Sequence, residues 1–246
     1  RDRAILVSAV NRYKVEPING KQRWILFLIS IFEIVFFHPL NIVIKIIEIL
    51  KQAYPDAKCS LNFTTPFEML IAVMLSAQCT DERVNKTTPS IFSKYNSPQD
   101  FVNIPLDELE TLIHPCGFYK NKAKNIKLTS EKLLNNFGGQ VPQTMEELMS
   151  LPGVGRKTAN VVMLEAFNKP QGIAVDTHAK RISNKLGLSE KSEPEKIEQD
   201  LLKLIPTKYY KDINHLFIWH GRNICTARNP KCVDCPIKAV SYTHLR

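Results

Sequence analysis

Leu151-Pro152-Gly153-Val154-Gly155-Arg156-Lys157-Thr158-Ala159 joins two helical patterns through a turn, and most of the chain reads as support for it. Met145 to Leu151 has helical spacing, with Thr144 and Glu147 placed as a capping box, and Lys157 to Phe167 is apolar enough for a buried helix. Gly153 and Gly155 permit positive φ and carry no side chain, so backbone N–H groups can point outward where the second helix begins. The partial positive charge and unpaired amides of a helix N-terminus attract anions, and in a basic chain a DNA backbone phosphate is the natural one. An ordinary helix-turn-helix connection explains the hairpin alone equally well.

The chain has 246 residues, enough for one large domain or two small ones, and a formal charge of +9. Residues 1–40 contribute six of the bases (Arg1, Arg3, Arg12, Lys14, Lys21, Arg23) against Asp2, Glu16 and Glu33. The surplus left for the remainder permits nucleic-acid binding without requiring it. Cys59, Cys79 and Cys116 are scattered, which argues against a secreted disulfide framework. Cys225, Cys232 and Cys235 cluster, as metal ligands do in a reducing compartment.

Both ends differ in character from the middle. Trp24 to Phe37 is an apolar run too short to span a bilayer comfortably, and it lacks a small-residue cleavage site. A membrane anchor would need the run to continue past Pro39. The preferred reading makes residues 1–40 a non-native upstream segment and residues 241–246 a non-native tail, because the amphipathic pattern starts near Asn41 and stops at Ser241.

Between those limits every element reads as helical, since no run alternates at period two. Residues 41–54 place Lys45, Glu48 and Lys51 on one face and isoleucines on the other, up to Pro55. Thr65-Pro66-Phe67-Glu68 pairs an N-cap with a proline at the first helical position, and opens the apolar run Met69–Ala77, expected at the centre of the core. Helices are then expected over Asp81–Lys94, Pro98–Asn103, Leu106–Ile113 and Tyr119–Phe137, the last stopped by Gly138-Gly139. Its Lys120, Lys122, Lys124 and Lys127 read as a solvated face. After the hairpin come a helix opened by Val175-Asp176-Thr177-His178 and two more, Pro194–Ile205 and Tyr209–Arg222. The fold class is all-α, with two helical lobes, a helix-hairpin-helix motif and a C-terminal cysteine-cluster loop.

Four segments in order, Ser76-Ala77-Gln78-Cys79-Thr80-Asp81, Leu151–Thr158, Val175–His178 and Cys225-x6-Cys232-x2-Cys235, make residues 41–240 resemble the endonuclease III family of the helix-hairpin-helix DNA glycosylase superfamily. The resemblance implies a domain over 60–172 carrying the hairpin and a second built from 41–59 and 173–240. It implies a bifunctional glycosylase and abasic-site lyase for oxidised pyrimidines in duplex DNA. Lys157 would attack C1′ of the damaged nucleotide, expel the base and form a Schiff base that undergoes β-elimination. The helix amides and any neighbouring cation disfavour an ammonium there, which would leave Lys157 a usable nucleophile; a phosphate-contacting lysine is the plainer alternative. Asp176 would relay the lysine proton and stabilise charge on the sugar, or cap its helix, or both. Gln78 would fill the gap left by the extruded nucleotide. Phe118 stands where the family often has a leucine wedge and could intercalate, or else lie in the core. Gly153, Gly155 and Arg156 are assigned to the DNA backbone, and His178 to phosphate, to orienting Asp176, or to packing.

The same resemblance makes Cys225, Cys232 and Cys235 three of the four ligands of a [4Fe–4S] cluster, and its last interval puts the fourth at position 241, which is Ser241. A zinc site completed by His244 is the alternative. The expected partner is double-stranded DNA bearing a damaged base or abasic site, bound by a monomer with no membrane role. The expected place is the cytoplasm, at the nucleoid, in a bacterium, and the nucleus or mitochondrion in a eukaryote. A mismatch-specific glycosylase and a non-catalytic hairpin DNA-binding module are the other functions weighed.

Overall fold

The computed structural model describes residues 38–240, with side chains from Asn41 onward. The expectations for residues 1–37 and 241–246, including Ser241 and His244, lie outside the described residues. Among the described residues every regular element is helical, with no strand. None of these helices is long and apolar enough to cross a membrane.

The first helix, α1 (His38–Ala53), begins three residues before the expected start. Next, α2 (Pro66–Ser76) starts at the N-cap Thr65, whose hydroxyl accepts the Glu68 N–H at 3.1 Å. The Glu68 carboxylate reaches back one residue further than a capping box requires, accepting the Thr64 N–H at 2.6 Å and the Thr64 hydroxyl at 2.7 Å. All residues from Phe67 to Leu75 are buried, so α2 is surrounded by protein on every side, as its unbroken apolar run predicts. Truncating Leu70 or Leu75, both fully buried, to alanine would cost about 2–5 kcal/mol.

α3 (Asp81–Phe92) and α6 (Tyr119–Phe137) pack on α2, while α4 (Pro98–Asn103) and α5 (Leu106–Ile113) pack on α6. The turn of 3-10 helix His114–Cys116 leads from α5 to α6. Ser97 and Asp100 form the complete capping box that opens α4. At the far end of α6, Gly138 and Gly139 adopt φ of 58° and 77°, and the Gly139 N–H returns to the Leu133 carbonyl at 2.9 Å.

Two of the α6 lysines are not solvated, which corrects the sequence expectation. Lys122 is buried, and its ammonium donates to the carbonyls of Leu75 (2.8 Å) and Cys116 (2.9 Å). Lys127 donates to the carbonyls of Val102 (2.8 Å) and Ile104 (2.5 Å) at the end of α4. Both stems cover apolar surface while the charged heads satisfy carbonyls that the ends of α2 and α4 leave open. Lys120 and Lys124 are exposed as expected.

The short α7 (Met145–Met149), capped by Thr144, leads into the hairpin, and α8 (Arg156–Phe167) packs on α2. The chain closes with α9 (Thr177–Lys185), α10 (Pro194–Leu204) and α11 (Tyr210–Asn223). α11 is fastened to α1 by the Lys51–Asp212 ion pair at 2.9 Å, and to the residue after it by the Tyr54 hydroxyl and His220 Nδ1 at 3.0 Å.

Candidate DNA-binding and catalytic site

The hairpin turn is pinned to α6 by three side chains. The Thr129 hydroxyl donates to the Pro152 carbonyl at 2.8 Å and the Lys132 ammonium to the Ser150 carbonyl at 2.7 Å. Asn125 lies directly under Gly153, where a Cβ would come within 2.9 Å of its Nδ2. Gly153 has φ of 76°, so both conformation and space demand glycine there. Gly155 does not use the positive φ it permits: its backbone is extended, φ −88° and ψ 175°, and a Cβ would meet nothing within 4 Å. It is the N-cap of α8 and offers no side-chain cap, and the first intrahelical bond is the Ala159 N–H to the Gly155 carbonyl at 2.9 Å. The amides ahead of that bond therefore open toward bare space, as an anion site requires.

Lys157 is exposed in the first turn of α8. Arg156 before it turns the other way, onto buried Glu198, with Nε 2.5 Å from Oε2. Asp176 is the N-cap of α9 and accepts the Ala179 N–H at 2.7 Å, so its capping role is realised. His178 is half-buried, and its Nδ1 lies 3.1 Å from Arg181 Nη2. Burial holds this imidazole below its usual range against the opposing Asp176 carboxylate, with Arg181 and Arg222 adding to the depression.

Gln78 and Phe118 occupy two separate turns, after α2 and before α6. Both are left-handed, with φ of 53° and 48°, and only Asn168 joins them among non-glycine residues described. Such backbone costs about 1–2 kcal/mol per residue and gathers at functional sites. Phe118 is 64% exposed, which removes its alternative as a core residue.

Arg181, one turn beyond His178, donates to the carbonyls of Gly221 (3.1 Å) and Cys225 (2.8 Å), tying α9 to the start of the cysteine loop. Gly221 has no room for a side chain, since a Cβ would lie 2.6 Å from His178 Nδ1. Cys225, Cys232 and Cys235 border one pocket with Lys185, His220 and Lys231. Burial pushes the Cys235 thiol up, with Cys225 and Cys232 adding to the rise.

Residues 71–207 match the family of HhH-GPD superfamily base excision DNA repair proteins, and residues 225–240 match the iron–sulfur binding domain of endonuclease III. The chain belongs to the HhH-GPD superfamily. Endonuclease III of Synechocystis is 50% identical over 193 residues, covering 78% of this chain and 88% of that protein. The solved structure of a non-covalent endonuclease III–DNA complex superposes with a TM-score of 0.78 at 43% identity, covering 82% of this chain and 95% of that one. A trapped endonuclease III–DNA covalent intermediate, an estranged-adenine complex, gives 0.77 at 44% identity, covering 81% and 93%. As an HhH-GPD protein with these relatives, the chain is a base excision repair DNA glycosylase and abasic-site lyase.

The iron–sulfur match ends at residue 240 and so spans the three cysteines. Their thiol chemistry and spacing fit three corners of a cluster. No group of three or more metal-binding side chains stands preassembled among the described residues, and position 241 lies beyond them.

The sequence reading placed the hairpin where the structure has it and named Lys157 and Asp176 beside it, but did not name four supporting residues. Asn125, Thr129, Arg181 and Glu198 hold the site from 23 to 44 residues away in sequence. Only Glu198 carried a signal: it interrupts the Ile197–Leu201 face of α10, and it is buried.

Proposed function

We infer that this chain excises oxidised pyrimidines from duplex DNA and nicks the abasic strand by β-elimination. The observation that carries the reading is the open, glycine-built start of α8 with an exposed lysine in its first turn. A phosphate bound by the α8 amides would place the backbone beside Lys157. The Lys157 amine then attacks C1′, the base leaves, and loss of the C2′ proton from the resulting Schiff base expels the 3′ phosphate. Asp176 takes the lysine proton and offsets positive charge on the sugar, while its capping bond fixes its position. Gln78 and Phe118 are assigned to the space vacated by the extruded nucleotide, because both are outward-facing and held in strained turns. His178 is assigned to packing, with its ring against Gly221 of α11.

DNA would lie between a lobe of residues 60–172 and a lobe of residues 41–59 with 173–240, bound by a monomer. Cys225, Cys232 and Cys235 would hold three corners of a [4Fe–4S] cluster, which would serve as a cross-link for the C-terminal loop. Borohydride trapping on an abasic-site duplex tests the chemistry: wild type should crosslink and Lys157→Ala should not, and equal trapping by both removes the assigned nucleophile. Base release and nicking, scored separately on a panel of lesion duplexes, test the substrate class; preference for a mismatched normal base would overturn it.

A further inference from the structure

We propose that Glu198 is a positioning residue for this reaction: its buried carboxylate ties the start of the helix bearing Lys157 to the segment that delivers Asp176. The proposal rests on the roles given above to Lys157 and Asp176.

Glu198 is 3% exposed on α10, yet two other parts of the chain converge on it. From α8, Arg156 donates through Nε at 2.5 Å and Nη2 at 3.3 Å, and Asn160 through Nδ2 at 2.9 Å. From the segment before α9, the Ile173 N–H donates at 3.3 Å. Gly172 lets that segment lie against the carboxylate, since a Cβ there would fall 2.3 Å from Glu198 Oε1 and 2.5 Å from Asn160 Oδ1.

Arg156 is the residue before Lys157, and Ile173 is three residues before Asp176. Ile173, Ala174 and Val175 are buried, so packing holds the whole stretch between the carboxylate and Asp176. One carboxylate therefore sets the separation of the two groups from behind, touching neither. A buried ion pair often contributes less stability than apolar residues of the same volume. Its fixed geometry, with four donors on two oxygens, is the property an apolar replacement could not supply.

The test compares wild type, Glu198→Gln, Glu198→Asp and Lys157→Ala, as full chains, on an abasic-site duplex under single-turnover conditions. Glu198→Gln keeps the shape but turns an amide against the Arg156 and Asn160 donors, and Glu198→Asp keeps the charge but withdraws it by one methylene. Because a misplacement near 1 Å costs about 100-fold in rate, each should lower kcat by roughly 10- to 100-fold. Duplex affinity should stay within about threefold, and circular dichroism unchanged.

Folded variants with wild-type kcat overturn the proposal, and so does a kcat loss matched by an equal loss of affinity, which would mark a general structural role. If Glu198→Gln does not fold, Glu198→Asp decides alone. Normal trapping by Lys157→Ala sinks the catalytic reading itself, whereas a dead Lys157→Ala beside fully active Glu198 variants sinks only the positioning role.

Discussion

Replacing each hairpin glycine with alanine should separate folding from DNA binding. At Gly153 the alanine must adopt φ near 76°, a left-handed backbone that costs about 1–2 kcal/mol. Its Cβ also falls 2.9 to 3.1 Å from three atoms of the Asn125 side chain, an overpacking that costs about 1–3 kcal/mol. The expected destabilisation is thus about 2–5 kcal/mol by urea unfolding. In an Asn125→Ala background the Nδ2 and Cγ contacts go and only the Cβ contact at 3.0 Å stays, so the cost should fall toward the conformational part of about 1–2 kcal/mol.

At Gly155 the backbone suits any residue and the space is empty. The unfolded-state gain of about 0.4–1 kcal/mol is opposed by alanine's poorer N-capping, so stability should hardly change. The added methyl instead stands at the mouth of the α8 amides. Losing one charge-assisted bond to a phosphate, about 1.5–3 kcal/mol, should raise Kd for duplex DNA roughly 10- to 100-fold at fixed salt. Fluorescence anisotropy reads this directly. Wild-type affinity in Gly155→Ala would refute the anion site, and wild-type stability in Gly153→Ala would refute the packing argument.

Three further outcomes are expected. Lys122→Met leaves the Leu75 and Cys116 carbonyls without their donor, at about 1–3 kcal/mol each, partly offset by no longer burying a charge; urea unfolding with an unchanged midpoint would contradict this. The Asp100 carboxyl is held below its usual range chiefly by the Ser97 hydroxyl at 2.6 Å, so its stabilisation is present above the unfolded carboxylate range and lost as pH falls through the lower folded value. Asp100→Asn should flatten the acid side of the stability–pH curve, as thermal melts across that range would record. Asp176→Asn keeps an oxygen for the Ala179 N–H and should change stability by less than about 1 kcal/mol. Its nicking rate should fall by about 10²- to 10⁴-fold, a loss that quenched time courses would detect.

Helices were legible wherever the signal was local. Thr65, Ser97 and Thr144 marked starts and Gly138 an end, because capping depends on residues within one turn. Lys122 and Lys127 misled because charge spacing along one helix does not reveal which faces neighbouring helices cover, nor where those neighbours leave carbonyls open. At Gly155 the sequence offered two properties, freedom of φ and absence of a side chain, and the structure uses only the second. Lys157 and Asp176 were named from their motifs, whereas Glu198 and Arg181 act on partners some 40 residues away, a relation that exists only after folding.

The buried ammonium of Lys122 has a mechanical consequence. It grips the Leu75 carbonyl three residues ahead of Gln78 and the Cys116 carbonyl two residues ahead of Phe118. One ammonium thus fastens the end of α2 to the turn before α6, so its loss would loosen the backbone leading into both left-handed turns together.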